Sequence, residues 1–191
     1  MSTIKIRFDK IKNDLIESKI NLKVALLFIP VGFLTYLFHE FGHWIVGECL
    51  GNEMILRLNN ADPKNGYYID PTHNLYVSIG GPSFTIIQAI IFWTIIEKTK
   101  SIYVYPFIFL AAFLRFFSIA FGGFSKQDEA RISSLLNINS YMVAIIVLLV
   151  LFMIVGRSSY KVNLKLKAIG YYTILSTLSI LLVIFVDELL V

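Results

Sequence analysis

A lone cysteine, Cys49, excludes any disulfide within the chain and says little about redox compartment. Charge is scarce as well. Asp, Glu, Lys and Arg make up 16% of the 191 residues, and the net charge is only +4. No basic stripe is interleaved with aromatics, so a nucleic-acid partner is excluded. The three histidines are too few for the two-metal centres of iron-dependent desaturases and hydroxylases. Internal repeats and paired broken helices are missing, which argues against a transporter. Low-complexity linkers are missing too, which predicts one domain over 24–191 behind a separate segment, 1–23. The first apolar stretch carries no small-residue cleavage site before His39-Glu40, so that stretch is expected to remain as an anchor.

Apolar residues are abundant: 57% of the chain is hydrophobic and its mean hydropathy is +0.71. A soluble domain of this size cannot hide so much apolar surface, so the expected solvent is lipid. Five segments approach or exceed the length of a membrane-spanning helix: Val24–Leu50, Tyr76–Ile96, Ile102–Gly122, Tyr141–Val155 and Gly170–Leu190. The expected fold is an all-α, multi-pass membrane protein, placed in the cell membrane. Aromatics reach 15%, and Tyr67, Tyr68, Tyr76, Tyr103 and Tyr105 near span ends suit interfacial belts. Residues 1–23 alternate Lys and Arg with Ile, Phe and Leu, as in an amphipathic segment lying on the cytoplasmic leaflet. Glu53–Leu58 and Gly66–Asp70 predict two short strands, joined by a turn-rich stretch into a hairpin at the membrane edge.

Inside the first apolar run stands His39-Glu40-Phe41-Gly42-His43. Residues four apart share a helix face, so His39 and His43 can converge on one metal ion. Glu40 lies beside that face, placed to take a proton from water. Charged groups within a bilayer cost about 2.5–3.5 kcal/mol each on insertion scales, and they usually mark function.

Two histidines leave a catalytic zinc site one protein ligand short. Glu48 is nine residues from His39 on the same helix and points about 180° away. His73 falls in a polar loop. Asp128 meets a geometric requirement: odd-numbered spans run parallel, so the end of the third lies on the same side as the end of the first. Glu129 is the alternative ligand, and Ser125 three residues before Asp128 also fits a helix cap. Arg115, inside the third span, must face the bundle or a wet cavity. It can steady a developing oxyanion or form a structural ion pair with an acid near the site. Gly80-Gly81-Pro82-Ser83 fits a helix start with proline in the first turn, or a close backbone approach to the histidine helix.

Together these residues resemble the site-2 protease family of intramembrane zinc metalloproteases. That family places H-E-x-x-H in a span ending in leucine-glycine, here His39 to His43 and then Leu50-Gly51. A membrane-edge β segment and a Gly-Pro helix start follow, here Gly80-Gly81-Pro82. This chain has Gln127-Asp128-Glu129 where the family carries Leu-Asp-Gly, and it lacks the family's Asn-x-x-Pro. The resemblance covers about residues 30–135. It implies Zn2+ held by His39, His43 and Asp128, catalysis by Glu40, and hydrolysis of peptide bonds in membrane-spanning or membrane-edge protein substrates. The alternative expectation is a non-catalytic adaptor or pseudoprotease that holds a partner helix.

Charge and resemblance disagree on orientation. Lys5, Arg7, Lys10, Lys12, Lys19, Lys23, Lys98, Lys100, Arg157, Lys161, Lys165 and Lys167 fall on one side, against Arg57, Lys64, Lys126 and Arg131 on the other. The positive-inside rule then predicts a cytoplasmic amino terminus and a site opening outward. The resemblance implies a site opening to the cytoplasm.

Overall fold

The computed structural model describes the backbone of residues 2–190 and the side chains of residues 9–190. Seven helices follow in order: α1 (Ser2–Glu17), α2 (Leu22–Cys49), α3 (His73–Thr99), α4 (Tyr105–Phe121), α5 (Asp128–Leu135), α6 (Met142–Lys161) and α7 (Leu166–Leu190). Between α2 and α3 lies a two-stranded antiparallel sheet, β1 (Met54–Leu56) and β2 (Ala61–Pro63). Five helical segments are long and apolar enough to cross a membrane: α2, α3, α4 with its leading 3-10 turn from Ile102, α6 and α7. The expected all-α polytopic architecture with a short hairpin is present.

Local chemistry explains where these helices start and stop. The Asn21 side chain accepts the Val24 N–H at 2.9 Å and caps α2. Pro106 sits in the first turn of α4, where its missing N–H leaves no intrahelical bond unmade. Lys100 ends α3 in the left-handed region, its N–H returning to the Ile96 carbonyl. The fourth span extends past Val155 to Lys161.

α4 touches all four other spans. Its inward face carries Tyr105 and Phe109, whose rings meet Tyr172 of α7 at 4.9 and 5.7 Å, and Phe28 of α2 joins Tyr172 at 5.6 Å. Tyr105 is therefore a core residue, bonded through its hydroxyl to Ser159, and not a member of an interfacial belt. Small residues draw the helices together elsewhere. Gly32 faces Ser179, whose hydroxyl donates to the Phe28 carbonyl at 2.6 Å, and this pins α7 to α2. Leu34, Ile91, Leu149 and Leu181 remain exposed on four different spans, as lipid-facing residues should be.

Two further sequence expectations need correction. The second strand is Ala61–Pro63, not Gly66–Asp70, with Met54 opposite Pro63 and Leu56 opposite Ala61. Tertiary seating decides this. Gly47 leaves a notch that the Met54 side chain fills, and the Glu48 carboxylate accepts the Met54 N–H at 2.9 Å, which starts β1 directly on the end of α2. A tight turn then closes with Arg57 N–H on the Asn60 carbonyl at 2.8 Å. Second, α3 begins at His73, so Gly80-Gly81-Pro82 lies inside the helix and does not start it. His73 and its neighbours can enter the helix because Asp70 accepts the Thr72 N–H at 2.8 Å and holds the turn.

Candidate metal centre

His39 lies about 15 Å short of the end of α2 at 1.5 Å rise per residue, well inside the apolar run. One helical turn separates it from His43, and the two rings stand 4.9 Å apart at 87°. Their Nε2 atoms are 3.2 Å from each other. Asp128, the first residue of α5, brings its Oδ2 to 3.2 Å from His39 Nε2 and 3.4 Å from His43 Nε2. The end of the third span has thus delivered Asp128 to the histidines, as the parity of the spans requires. The Gln127 side chain makes no capping bond at the start of α5, and Ser125 lies in the preceding 3-10 turn, Phe124–Lys126.

The other ring nitrogens fix which atoms face inward. His43 Nδ1 lies 2.7 Å from the Val77 carbonyl, which can only accept, so Nδ1 carries the hydrogen. The Thr85 hydroxyl donates to the Gly81 carbonyl at 3.2 Å and is left to accept from His39 Nδ1 at 2.9 Å. Both Nε2 atoms therefore present lone pairs to each other and to a carboxylate oxygen. Three acceptors facing one another at this range suit a cation between them, and the Arg115 guanidinium already approaches two of them. Ligand atoms about 2.0–2.1 Å from a tetrahedral centre stand about 3.3–3.4 Å apart, and the observed triangle matches that spacing. The His-His-Asp group can hold a metal ion.

Sequence reasoning did not find Val77 and Thr85, although a signal existed. Val77, Gly81 and Thr85 recur every four residues and so share one face of α3. Gly81 is the seat of the histidines: a Cβ there would run into His43 Nε2 and come within 2.6 Å of His39 Cε1. Gly42 and Gly80 let the two backbones touch, a Cβ on Gly42 falling 2.6 Å from the Gly80 carbonyl oxygen. The close approach anticipated for Gly80-Gly81 is present, from the middle of a helix.

Glu129 has another duty. It is 0% exposed and accepts a forked pair of bonds from Arg115, with Nε on Oε1 at 3.0 Å and Nη2 on Oε2. Arg115 Nη2 also reaches Asp128 Oδ2 at 3.3 Å, and Nη1 stands 3.2 Å from His39 Nε2. Glu129 contributes no atom to the metal-ligating group, which leaves Asp128 as its acid. Glu48 is tied to β1, and His73 rests against Asn52 at 3.2 Å; neither joins the cluster.

A cleft of about 190 Å³ opens on the cluster. Glu40 lines it beside His39 and His43, Tyr36 stands one turn earlier on the same face of α2, and Asn59 to Asp62 of the hairpin form another wall. One guanidinium, Arg115, and two carboxylates, Glu40 and Asp128, are buried at its base, and the Glu129 carboxylate is buried just behind them against Arg115. With those carboxylates ionised the base carries two surplus negative charges, which burial penalises strongly and a divalent cation cancels. Donor set, spacing and charge all fit such an ion. No protein-family model, curated protein or solved structure matches the chain.

Proposed function

We propose that this protein is an intramembrane zinc metalloprotease of the site-2 protease type, cleaving membrane-spanning or membrane-edge segments of other proteins in the cell membrane. The observation that carries the reading is the triangle of His39 Nε2, His43 Nε2 and Asp128 Oδ2 at 3.2–3.4 Å, with Glu40 on the adjoining wall of the same cleft. Those three atoms would hold zinc, the metal that such a nitrogen and oxygen donor set commonly takes in hydrolases. Bound there, zinc supplies a Lewis acid that lowers the pKa of water and polarises a carbonyl.

The remaining chemistry belongs to the chain. The Glu40 carboxylate takes a proton as the oxygen of water attacks the scissile carbonyl carbon, and it gives that proton to the amide nitrogen when the C–N bond breaks. Bonds from His39 Nδ1 to Thr85 and from His43 Nδ1 to the Val77 carbonyl hold both imidazoles in the tautomer that leaves Nε2 free. Burial excludes bulk water, while the polar lining of the cleft admits the water the reaction consumes. A substrate helix hides its carbonyls in its own hydrogen bonds, so it must unwind first. Ala61 and Asp62 of β2 line the cleft, and adding the substrate beside that strand would hold it extended.

Glu40→Gln tests the proposal. The variant keeps the side-chain shape, so zinc content and folding should be unchanged, while loss of general acid–base help lowers cleavage about 10²–10⁴-fold. Wild type and Glu40→Gln are co-expressed with single-span membrane proteins, and the cleavage products compared. Equal processing by both forms would end the protease reading. Zinc retained by both forms with cleavage by neither favours an adaptor.

A further inference from the structure

Counting the hydrogens on Arg115 leaves one group without an assignment. A guanidinium has five N–H donors. Nε–H and one Nη2–H go to Glu129, and the second Nη2–H goes to Asp128. One Nη1–H points to His39 Nε2 at 3.2 Å, at the lone pair that a metal ion would take. The other Nη1–H meets no acceptor among the described residues. A side chain only 3% exposed thus lines the cleft with a cationic nitrogen whose hydrogens are unpartnered or would be released by the metal. Fixed donors of that kind, held in place before reaction, are what a developing negative oxygen requires. An ion pair serving structure alone would be complete with the fork onto Glu129, with no need for Nη1 beside His39.

We infer that Arg115 is a catalytic residue whose Nη1 donates to the oxyanion of the tetrahedral intermediate in peptide hydrolysis. This rests on the protease reading above. As the oxygen of water bonds to the carbonyl carbon, the π pair moves onto the carbonyl oxygen and the water proton passes to Glu40. Arg115 Nη1–H stabilises that oxygen while it is negative. The pair then returns, the C–N bond breaks with its electrons on nitrogen, and nitrogen takes the proton from Glu40. A carboxyl and an amine terminus result. Glu129 is a positioning residue: its forked hold keeps the guanidinium plane fixed, and Glu129 does not touch the substrate.

Two probes on the full chain in detergent separate this role from a structural one. An apolar phosphinic peptide carries a tetrahedral, anionic group in place of the scissile amide. A matched hydroxamate chelates metal without that tetrahedral group. Removing Arg115 alone strands the buried Glu129, so the variant is Arg115→Gln with Glu129→Gln, and Glu129→Gln alone is the control. The double variant should keep its zinc and hold the hydroxamate as wild type does, while binding the phosphinate about 10²-fold more weakly. The control keeps the guanidinium but only one of its two Glu129 acceptors, so it should hold the hydroxamate normally and bind the phosphinate more weakly than wild type and more tightly than the double variant. If the double variant does not fold, Arg115→Lys replaces it. One ammonium cannot engage Glu129 and still reach the position of Nη1, so phosphinate binding should fall about tenfold or more. Unchanged phosphinate binding with zinc retained overturns the assignment, and so does loss of zinc from the folded double variant. A wild-type protein that binds no zinc and neither probe refutes the protease reading itself.

Discussion

At one end of the bundle Arg115 is clamped out of water between Glu129 and Asp128. At the other, Lys165 meets Glu17 at 3.1 Å, Lys167 meets Asp14, and Arg157 and Lys161 meet Glu97 at 2.9 and 2.7 Å, mostly on exposed side chains. The residue types are the same and their circumstances are opposite. Exposed pairs link α1 to the start of α7 and α3 to α6, where water and salt weaken them. The buried group surrounds two histidines and a cleft. The contrast separates charge that decorates a membrane surface from charge held within the bundle at an energetic cost, which is where chemistry is to be sought.

Substitutions at the two ends should therefore behave differently. Glu129→Ala should have the largest effect on stability, about 3–5 kcal/mol, because it leaves Arg115 buried with half its partners gone. Zinc content per folded chain should persist, since Glu129 supplies no ligand atom, and metal analysis of the folded fraction checks both points. Gly81→Ala comes next. The added methyl would push into both histidine rings, costing about 1–3 kcal/mol and most of the bound zinc. Gly156→Ala is its counterpart away from the site. Apart from the neighbouring backbone of its own helix, no atom of the described residues lies within 4 Å of a Cβ there, so removing a helix-interior glycine should stabilise by about 0.5–1 kcal/mol, measurable as a raised melting temperature. Smallest of all is Lys165→Ala, which should leave both melting temperature and zinc content where they were, because its ion pair is open to water. A large effect at Lys165 with none at Gly81 would reverse the contrast.

Much of this end of the molecule was legible because membrane placement constrains sequence strongly. The five apolar runs locate the span ends to within about three residues, except at the end of α6 and the start of α7, which extend through polar flanks that hydropathy does not reward. Parity alone brought Asp128 to the side where His39 and His43 lie. The choice between Asp128 and Glu129 was open, because adjacent acids at a helix start look alike until Arg115 is seen to engage one of them through both carboxylate oxygens. The hairpin was placed correctly and its second strand was not. Ala61-Asp62-Pro63 has little intrinsic strand preference and is paired because Met54 and Glu48 lock β1 onto α2, a tertiary effect that overrides local propensity.

The most direct test of the metal centre is zinc per chain in purified wild-type protein beside Asp128→Ala. One zinc per wild-type chain and little or none in the variant is expected, because a site left with two histidines binds far more weakly. A wild-type protein purified without metal from zinc-replete cells, or a variant that retains the full wild-type content, would contradict the site formed by His39, His43 and Asp128.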